Sequence, residues 1–302
     1  MLAETPADRA ALDFISDMAD QVSMPGVYHD VRYLIGNSES NITDFVDVIK
    51  NDSSLSVRLS RITDSDYFGF PRRAEDLYQA ISLIGIMQLH DLILNSLSLR
   101  TFSAVPHQLF NLEAFWIYSI NCGIAARTIA QHSQIFPINP YFTYGLLHEI
   151  GHAAMFIRKP ELSMQVLESV EQPITHQLEK ERELFGFDYT DVGTALIRLW
   201  CLPEVYQQIV SCHLEVEKAD ESHQLAVRVV HLAHQICQTE QIQNIEDILQ
   251  IQKNAEPQLQ KLPDNIASII NREIELNSLP VLDMLWPSGV PKSTASNLST
   301  DQ

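Results

Sequence analysis

Glycine is scarce in this sequence, which contains 10 glycines among 302 residues. Barrels, sandwiches and nucleotide-binding folds with glycine-rich loops need glycine at turns where the backbone takes a positive φ. The apolar residues recur at helical rather than alternating spacing, as Ile42, Phe45, Val46 and Ile49 illustrate. The shortage of glycine and the helical period together predict an all-α protein.

Basic residues are also few, since 20 Lys and Arg stand against 39 Asp and Glu and leave a formal net charge of -19 at pH 7. A surface with this charge repels the phosphates of nucleic acids and the anionic head groups of lipids. We therefore expect neither a nucleic acid nor a membrane as a partner of this protein.

Cysteine is rare, and its spacing shows neither a CxxC pair nor a dense disulfide pattern. The 4 cysteines are Cys122, Cys201, Cys212 and Cys237. The first residues, MLAETPADRA, lack the basic and apolar stretches of a secretory signal. These features favour a reducing compartment, and we expect a cytoplasmic protein.

Long uninterrupted apolar runs are absent from the sequence. The longest apolar stretch, residues 80–99, contains Gln88, His90, Asp91 and Asn95. These side chains are too polar for an unassisted membrane span. The stretch predicts one long, buried core helix instead.

Residues 148–152 read HEIGH and match the pattern HExxH. On a helix this spacing places two imidazoles on one face as zinc ligands, with the glutamate as general base. The longer metzincin motif requires glycine and histidine where Met155 and Arg158 stand, and no strand pattern flanks the segment. A zinc peptidase is therefore an alternative interpretation and not the preferred one.

Several short motifs follow one another in order between Phe14 and His213. They are Met24-Pro25, Val48-Ile49-Lys50-Asn51-Asp52 with Leu55, Arg58 and Leu59, Ile62-Thr63-Asp64-Ser65, Tyr67-Phe68-Gly69, Gln79-Ala80-Ile81, Phe115-Trp116-Ile117-Tyr118-Ser119, Gly145-Leu146-Leu147-His148-Glu149-Ile150-Gly151, Asp191-Val192-Gly193, Trp200 with Leu202-Pro203, and Cys212-His213. In this order they resemble the HDOD (HD-related output domain) family. The resemblance implies a multi-helical HD-like fold with two packed helical lobes, and a role in bacterial signal transduction.

The resemblance also implies a division of the chain. The predicted segments are an N-terminal tail (1–13), an HDOD domain (14–215) with a helical lobe (14–105) and an HD-like lobe (106–215), a C-terminal helical extension (216–276) and a mobile tail (277–302). The tail is predicted because its last residues are rich in Ser, Thr and Pro and contain few large apolar groups.

Five large apolar residues are expected in the core, because each lies on an apolar face of a predicted helix. They are Leu59, Ile84, Phe115, Leu147 and Trp200. Their burial is a direct test of the predicted helical phase.

Active HD phosphohydrolases bind metal through several histidines and aspartates, which converge to activate a water molecule. The resemblance places the first histidine at Tyr118, the His-Asp pair at His148-Glu149 and the next histidine at Tyr189. A phenol is a poor ligand at neutral pH because its unperturbed pKa is about 10. The two tyrosines therefore represent lost ligand positions.

The later metal positions are also altered. A histidine pair is reduced to Cys212-His213, and the late aspartate falls at His234. The vestigial candidates that remain are His148, Glu149, His152 and His213. We expect no bound metal, no cofactor and no catalytic residue in this protein.

The resemblance thus implies a non-catalytic regulatory module of signal transduction. A signalling protein partner, or a small nucleotide in the vestigial cleft, would carry the message. The alternative is a metal-dependent hydrolase. It would be either a divergent HD phosphohydrolase that uses His148, Glu149, His152 and His213, or the zinc peptidase considered above.

Overall fold

The computed structural model describes residues 5–65, 67–68, 74–104, 110–167, 174–238 and 242–286, and these residues form helices without a β-strand. The predicted all-α fold is confirmed. The α-helices are α1 (Pro6–Ser16), α2 (Ala19–Val22), α3 (Gly26–Gly36), α4 (Ile42–Ile49), α5 (Ser53–Thr63), α6 (Leu77–Ile84), α7 (Ile86–Thr101), α8 (Leu112–His132), α9 (Pro140–Leu147), α10 (Ile150–Arg158), α11 (Pro160–Leu167), α12 (Ile174–Phe185), α13 (Tyr189–Leu199), α14 (Glu204–Cys212), α15 (Gln224–Gln238), α16 (Ile242–Ala255) and α17 (Ile266–Leu285). Short 3-10 helices occupy Phe102–Ala104, Val216–Lys218 and Pro257–Lys261.

Side-chain caps define where several helices begin. At the start of α13, the Asp188 carboxylate accepts the backbone N–H of Thr190 and Asp191, and the Asp191 carboxylate accepts the backbone N–H of Asp188. Such a capping box satisfies amides that have no partner within the helix. It fixes the first turn of α13, and with it the position of Tyr189.

The apolar stretch 80–99 is not the single helix that the sequence predicted. α6 ends at Ile84, α7 begins at Ile86, and the two helix axes differ in direction by 108°. Gly85 makes the turn with a φ of 78°, a left-handed conformation that side chains with a Cβ rarely adopt. Met87 consequently faces outward and is 70% exposed.

None of the helices in the described ranges is by itself both long and apolar enough to cross a bilayer, and only α6 and α7 together meet the criteria of length and composition.

A large hydrophobic core connects both predicted lobes, and it extends from α1 through α7 to α10, α13 and the last turns of α17. A second apolar cluster lies between the C-terminal half of α8 and helices α14 to α17. The residues expected in the core, Leu59, Ile84, Phe115, Leu147 and Trp200, are all buried. The predicted helical phase is therefore confirmed at these five positions.

The predicted N-terminal tail is wrong over most of its length. α1 begins at Pro6, behind a capping box between Thr5 and Asp8. Ala11 is completely buried, and α1 packs against α13. The apolar face of α1 is short, with Ala11, Phe14 and Ile15 buried, so the sequence pattern did not predict this helix.

The predicted boundary at residue 277 is also wrong. α17 continues to Leu285, and its residues Val281 and Leu282 lie in the main core. Burial of this apolar face explains why the helix continues past Pro280. Residues 287–302, for which the sequence predicted mobility, lie outside the described residues.

Helices α10 and α13 cross at very short distance. α10 meets α13 at Gly151 and Gly193, and a Cβ on Gly151 would lie 1.9 Å from the carbonyl oxygen of Tyr189. Only glycine at position 151 permits this approach. The crossing brings the residues at the start of α10 next to Tyr189.

We expect that Leu147→Ala lowers the free energy of unfolding by about 2–5 kcal/mol, because it leaves a cavity in a packed core. Leu147 is 1% exposed, whereas Leu279 on α17 is 63% exposed. Leu279→Ala is the matched control and should change stability by no more than about 0.5 kcal/mol. Urea unfolding of both variants measures the difference, and equal losses would contradict the assigned core.

Candidate functional site

The HExxH segment does not lie on one helix. α9 ends at Leu147, α10 begins at Ile150, and Glu149 between them takes φ -110° and ψ 20°. This break removes the helical register that would direct His148 and His152 toward one zinc ion. The geometry of a zinc peptidase is therefore not formed by these two histidines.

Four buried side chains converge behind this break. The ligand atoms of His148, Glu149, His213 and His234 all lie within 4.8 Å of one another. His234 is the residue that the resemblance placed at the late aspartate. His152, which the sequence grouped with these candidates, is not part of the cluster, and neither is Cys212.

Backbone carbonyls determine the tautomers of two of these histidines. Nδ1 of His148 lies 2.7 Å from the carbonyl oxygen of Gly145, and Nδ1 of His213 lies 3.0 Å from that of Val210. A carbonyl oxygen can only accept, so each Nδ1 carries a hydrogen. When these rings are neutral, Nε2 of both presents a lone pair to the centre of the cluster.

Tyr118 and Tyr189, which the resemblance places at lost ligand positions, lie within hydrogen-bond distance of the cluster. The Tyr189 hydroxyl donates to Nε2 of His213 at 2.9 Å. Nδ1 of His234 lies 3.1 Å from Nε2 of His148 and 2.9 Å from the Tyr118 hydroxyl. Since Nε2 of His148 is an acceptor, Nδ1 of His234 carries the hydrogen between them, and the Tyr118 oxygen is a second acceptor of that hydrogen. Hydrogen bonds thus occupy the lone pairs of His148 and His213.

The four residues of the cluster are potential ligands of a metal ion. Three imidazoles and one carboxylate within 4.8 Å fit a divalent transition metal by donor type and number. His148, Glu149, His213 and His234 would hold such an ion, which would supply Lewis-acid polarisation of a bound group. Four protein ligands complete a tetrahedral shell, however, and leave no open position for a catalytic water. The expectation of no bound metal stays a prediction.

Burial keeps the imidazoles of the cluster neutral. Burial lowers the pKa of His148. Burial and the neighbouring rings of His148 and His234 hold the pKa of His213 well below its usual range. Burial also lowers the pKa of His234 to about 4. The phenols of Tyr118 and Tyr189 are protonated, because burial raises their pKa well above the ordinary value.

His152 belongs to a second group, which contains two carboxylates. Its Nε2 lies 3.1 Å from Glu181 Oε1, and its Nδ1 lies 3.8 Å from Glu149 Oε2. Its ring stacks on Tyr189 with 3.9 Å between the ring centroids. The other oxygen of Glu181 accepts the backbone N–H of Tyr189 at 2.8 Å. Sequence reasoning missed Glu181, which lies 29 residues from His152 in a polar helix without a motif.

The charges of this second group depend on one another. Burial lowers the pKa of His152, but the neighbouring carboxylates of Glu149 and Glu181 outweigh burial and raise this pKa to about 10. Burial raises the pKa of Glu149, but His152 and the surrounding histidines outweigh it and hold that pKa well below its usual range. A charged carboxylate and an imidazolium therefore stand side by side at this position.

A cavity of about 340 Å³ opens onto this group. Its polar floor consists of Tyr118, Glu149, His152, Gln177 and Glu181. Its apolar walls include Phe110, Phe115, Met155, Phe156, Val166 and Leu167. The cavity combines an acidic floor with aromatic walls, a combination that no single motif in the sequence indicated.

The chain is similar to known proteins over most of its length. The profile of the HDOD domain family matches residues 22–216. An uncharacterized protein of Treponema pallidum (strain Nichols) is 24% identical over 225 residues, which cover 73% of this chain and 43% of that protein. The chain thus spans less than half the length of the curated relative that it matches.

Three solved structures are similar in fold. An HDOD domain protein of unknown function from Geobacter sulfurreducens has a TM-score of 0.68 and 19% identity, covering 92% of this chain and 99% of its own. A candidate signal transduction protein from Marinobacter aquaeolei VT8 has a TM-score of 0.66 and 18% identity, covering 92% of this chain and 66% of its own. A candidate phosphohydrolase from Shewanella amazonensis SB2B has a TM-score of 0.68 and 19% identity, with 88% and 96% coverage. At these identities the likeness establishes the fold.

The buried histidines make stability depend on pH in two directions. From about pH 6.5 down to about 4, the unfolded chain binds protons on His148, His213 and His234 that the folded chain excludes, so the free energy of unfolding falls. Above pH 6.5, folded His152 retains its proton up to a pKa of about 10 while unfolded His152 loses it, so stability falls as the pH rises.

Urea unfolding between about pH 4 and 9 measures both limbs, with the maximum expected near the ordinary histidine pKa of about 6.5. His152→Gln should flatten the alkaline limb. The matched control His176→Gln, whose side chain is 52% exposed, should leave it unchanged. An alkaline limb that persists in His152→Gln would contradict this assignment.

Proposed function

Because this chain belongs to the HDOD family, we propose that it is a non-catalytic regulatory module of signal transduction that acts by binding a partner protein. The observation that carries the proposal is the pair of phenols at the centre. The resemblance places Tyr118 and Tyr189 at lost ligand positions, and their hydroxyls lie 2.9 Å from ring nitrogens of His234 and His213. In an active HD phosphohydrolase, imidazoles at these positions would bind metal.

The hydrogen bonds within the cluster support this proposal. Both Nδ1 hydrogens are taken by backbone carbonyls, and the opposing lone pairs accept from Tyr189 and His234. Both ring nitrogens of His148 and of His213 are therefore satisfied by protein groups alone. Buried polar groups that are fully paired stabilise one arrangement of a core, which suits a structural role for these residues.

A groove of about 1020 Å³ between the lobes supports a protein partner. It is bordered by α3, α7 and the segment Phe136–Pro140. Met87 and Phe136 at its edge are 70% and 73% exposed. Large apolar side chains in this position are typical of surfaces that another protein covers.

A small nucleotide is a weaker candidate ligand for the cavity over Glu149. No lysine or arginine is among the described residues that line this cavity, and two carboxylates form part of its floor. Phosphate groups require backbone amides or basic side chains to balance their charge. The chemistry of the cavity therefore disfavours nucleotides.

A metal-dependent hydrolase is the second candidate function, and the cluster of His148, Glu149, His213 and His234 favours it. This candidate needs an ion with an open coordination position. The hydrolase thus predicts a bound metal ion and hydrolytic activity, whereas the regulatory module predicts neither.

We expect the purified protein to contain no stoichiometric transition metal and to hydrolyse neither phosphomonoesters, phosphodiesters nor peptides. Elemental analysis and the three assays measure this, with and without added Zn²⁺ or Mn²⁺. The double variant Tyr118→His/Tyr189→His should retain more metal than the natural protein, because it returns two imidazoles to the edge of the cluster. About one metal ion per chain, lost in His148→Ala together with hydrolysis, would overturn the proposed function.

A further inference from the structure

We propose that the cavity over Glu149 binds an organic cation, namely a small protonated amine with an apolar body. This inference rests on the proposed function, since it names a ligand for a site that carries out no hydrolysis. It depends on the charges at the floor of the cavity, the chemistry of its walls and its size.

Glu149 is an acceptor without a close donor. It is 7% exposed, and its nearest histidine nitrogens lie at 3.4 Å in His234 and 3.8 Å in His148 and His152. These separations exceed the usual length of a charge-assisted hydrogen bond, about 2.7–2.9 Å. A buried carboxylate at the floor of a cavity therefore has unused capacity to accept a hydrogen bond from a ligand.

The balance of charge at the floor also favours a cation. His152 is the one imidazole among the described residues that line the cavity, it lies between Glu149 and Glu181, and the neighbouring floor residues Tyr118 and Gln177 are uncharged. No basic side chain occurs among the other described residues that line the cavity. A ligand with one positive charge would balance the second carboxylate, whereas an anion would face uncompensated repulsion.

The walls provide aromatic surface for the ligand. Phe110 stacks on Phe156 with 4.0 Å between centroids, and Phe110 lies 5.6 Å from Phe115. Ring faces attract cations, and Phe walls combined with carboxylates are suited to ammonium groups that carry apolar substituents. Met155 and Val166 extend this apolar surface.

The size of the cavity limits the ligand. A volume of about 340 Å³ is near the lower end of the range for small-molecule pockets, about 300–1,000 Å³. One aromatic ring or a short alkyl chain next to the charged group fits this space. Phenethylamine is therefore a suitable probe of the ligand class.

The experiment compares three probes of one shape on the full chain by isothermal titration calorimetry: phenethylamine, neutral 2-phenylethanol and anionic 3-phenylpropanoate. We expect measurable affinity for the amine, with the alcohol and the carboxylate at least about tenfold weaker, because only the amine makes a charge-assisted hydrogen bond. No binding of the amine, or equal binding of the alcohol, would overturn the proposal.

Variants locate the bound amine. Glu149→Gln keeps the shape of the side chain but removes its charge, and should weaken amine binding by about tenfold or more. Glu183→Gln, on the exposed face of α12, is the matched control and should bind as the natural protein does. Unchanged affinity in Glu149→Gln would exclude this site.

A second variant covers the case in which Glu149→Gln does not fold. Ala114 lines the cavity and is itself exposed, so Ala114→Trp fills the entrance without altering the core. Amine binding should be lost in this variant, and binding that persists would place the amine elsewhere. Hydrolysis with bound metal would overturn the proposed function alone, whereas failure to bind the amine would overturn only this inference.

Discussion

The buried charge of Glu149 is the constraint on which the centre of this protein depends. A carboxylate that is 7% exposed is costly unless positive groups and donors surround it. His152 supplies the compensating charge. One oxygen of Glu181 accepts a hydrogen bond from Nε2 of His152 and holds that ring in place, and the other oxygen accepts the backbone N–H of Tyr189. The stacking of His152 on Tyr189 and the polar floor of the cavity belong to this arrangement.

The helix break before α10 gives the neighbouring histidines different roles. His148 is turned toward His234, which lies 86 residues away in sequence, whereas His152 is turned toward Glu181. The close approach of Gly151 to the Tyr189 carbonyl keeps α10 and α13 in the positions that this requires. His148 thus contributes to a neutral hydrogen-bonded core, and His152 contributes to a charged cavity floor.

The proposed ligand site is connected to the rest of the fold through α8. This helix carries Phe115 and Tyr118 of the cavity and packs against α9, α15 and α17. A ligand between the aromatic walls and Glu149 would contact α8, α10 and α12 together. Its binding energy would stabilise one relative position of these helices, which is how a ligand shifts the population of a signalling protein.

The sequence by itself determined the all-α fold, the core positions such as Leu147 and Trp200, and the family, because helical periodicity and motif order are local properties of the chain. That Tyr118 and Tyr189 are altered ligand positions stays a prediction of the resemblance. Only the tertiary structure decided that Gly85 splits an apolar stretch, that α17 continues past residue 277, and that His234 joins the cluster while His152 leaves it. These outcomes depend on burial and on contacts between distant segments, and such contacts set pKa values, helix ends and cavities that no local pattern contains.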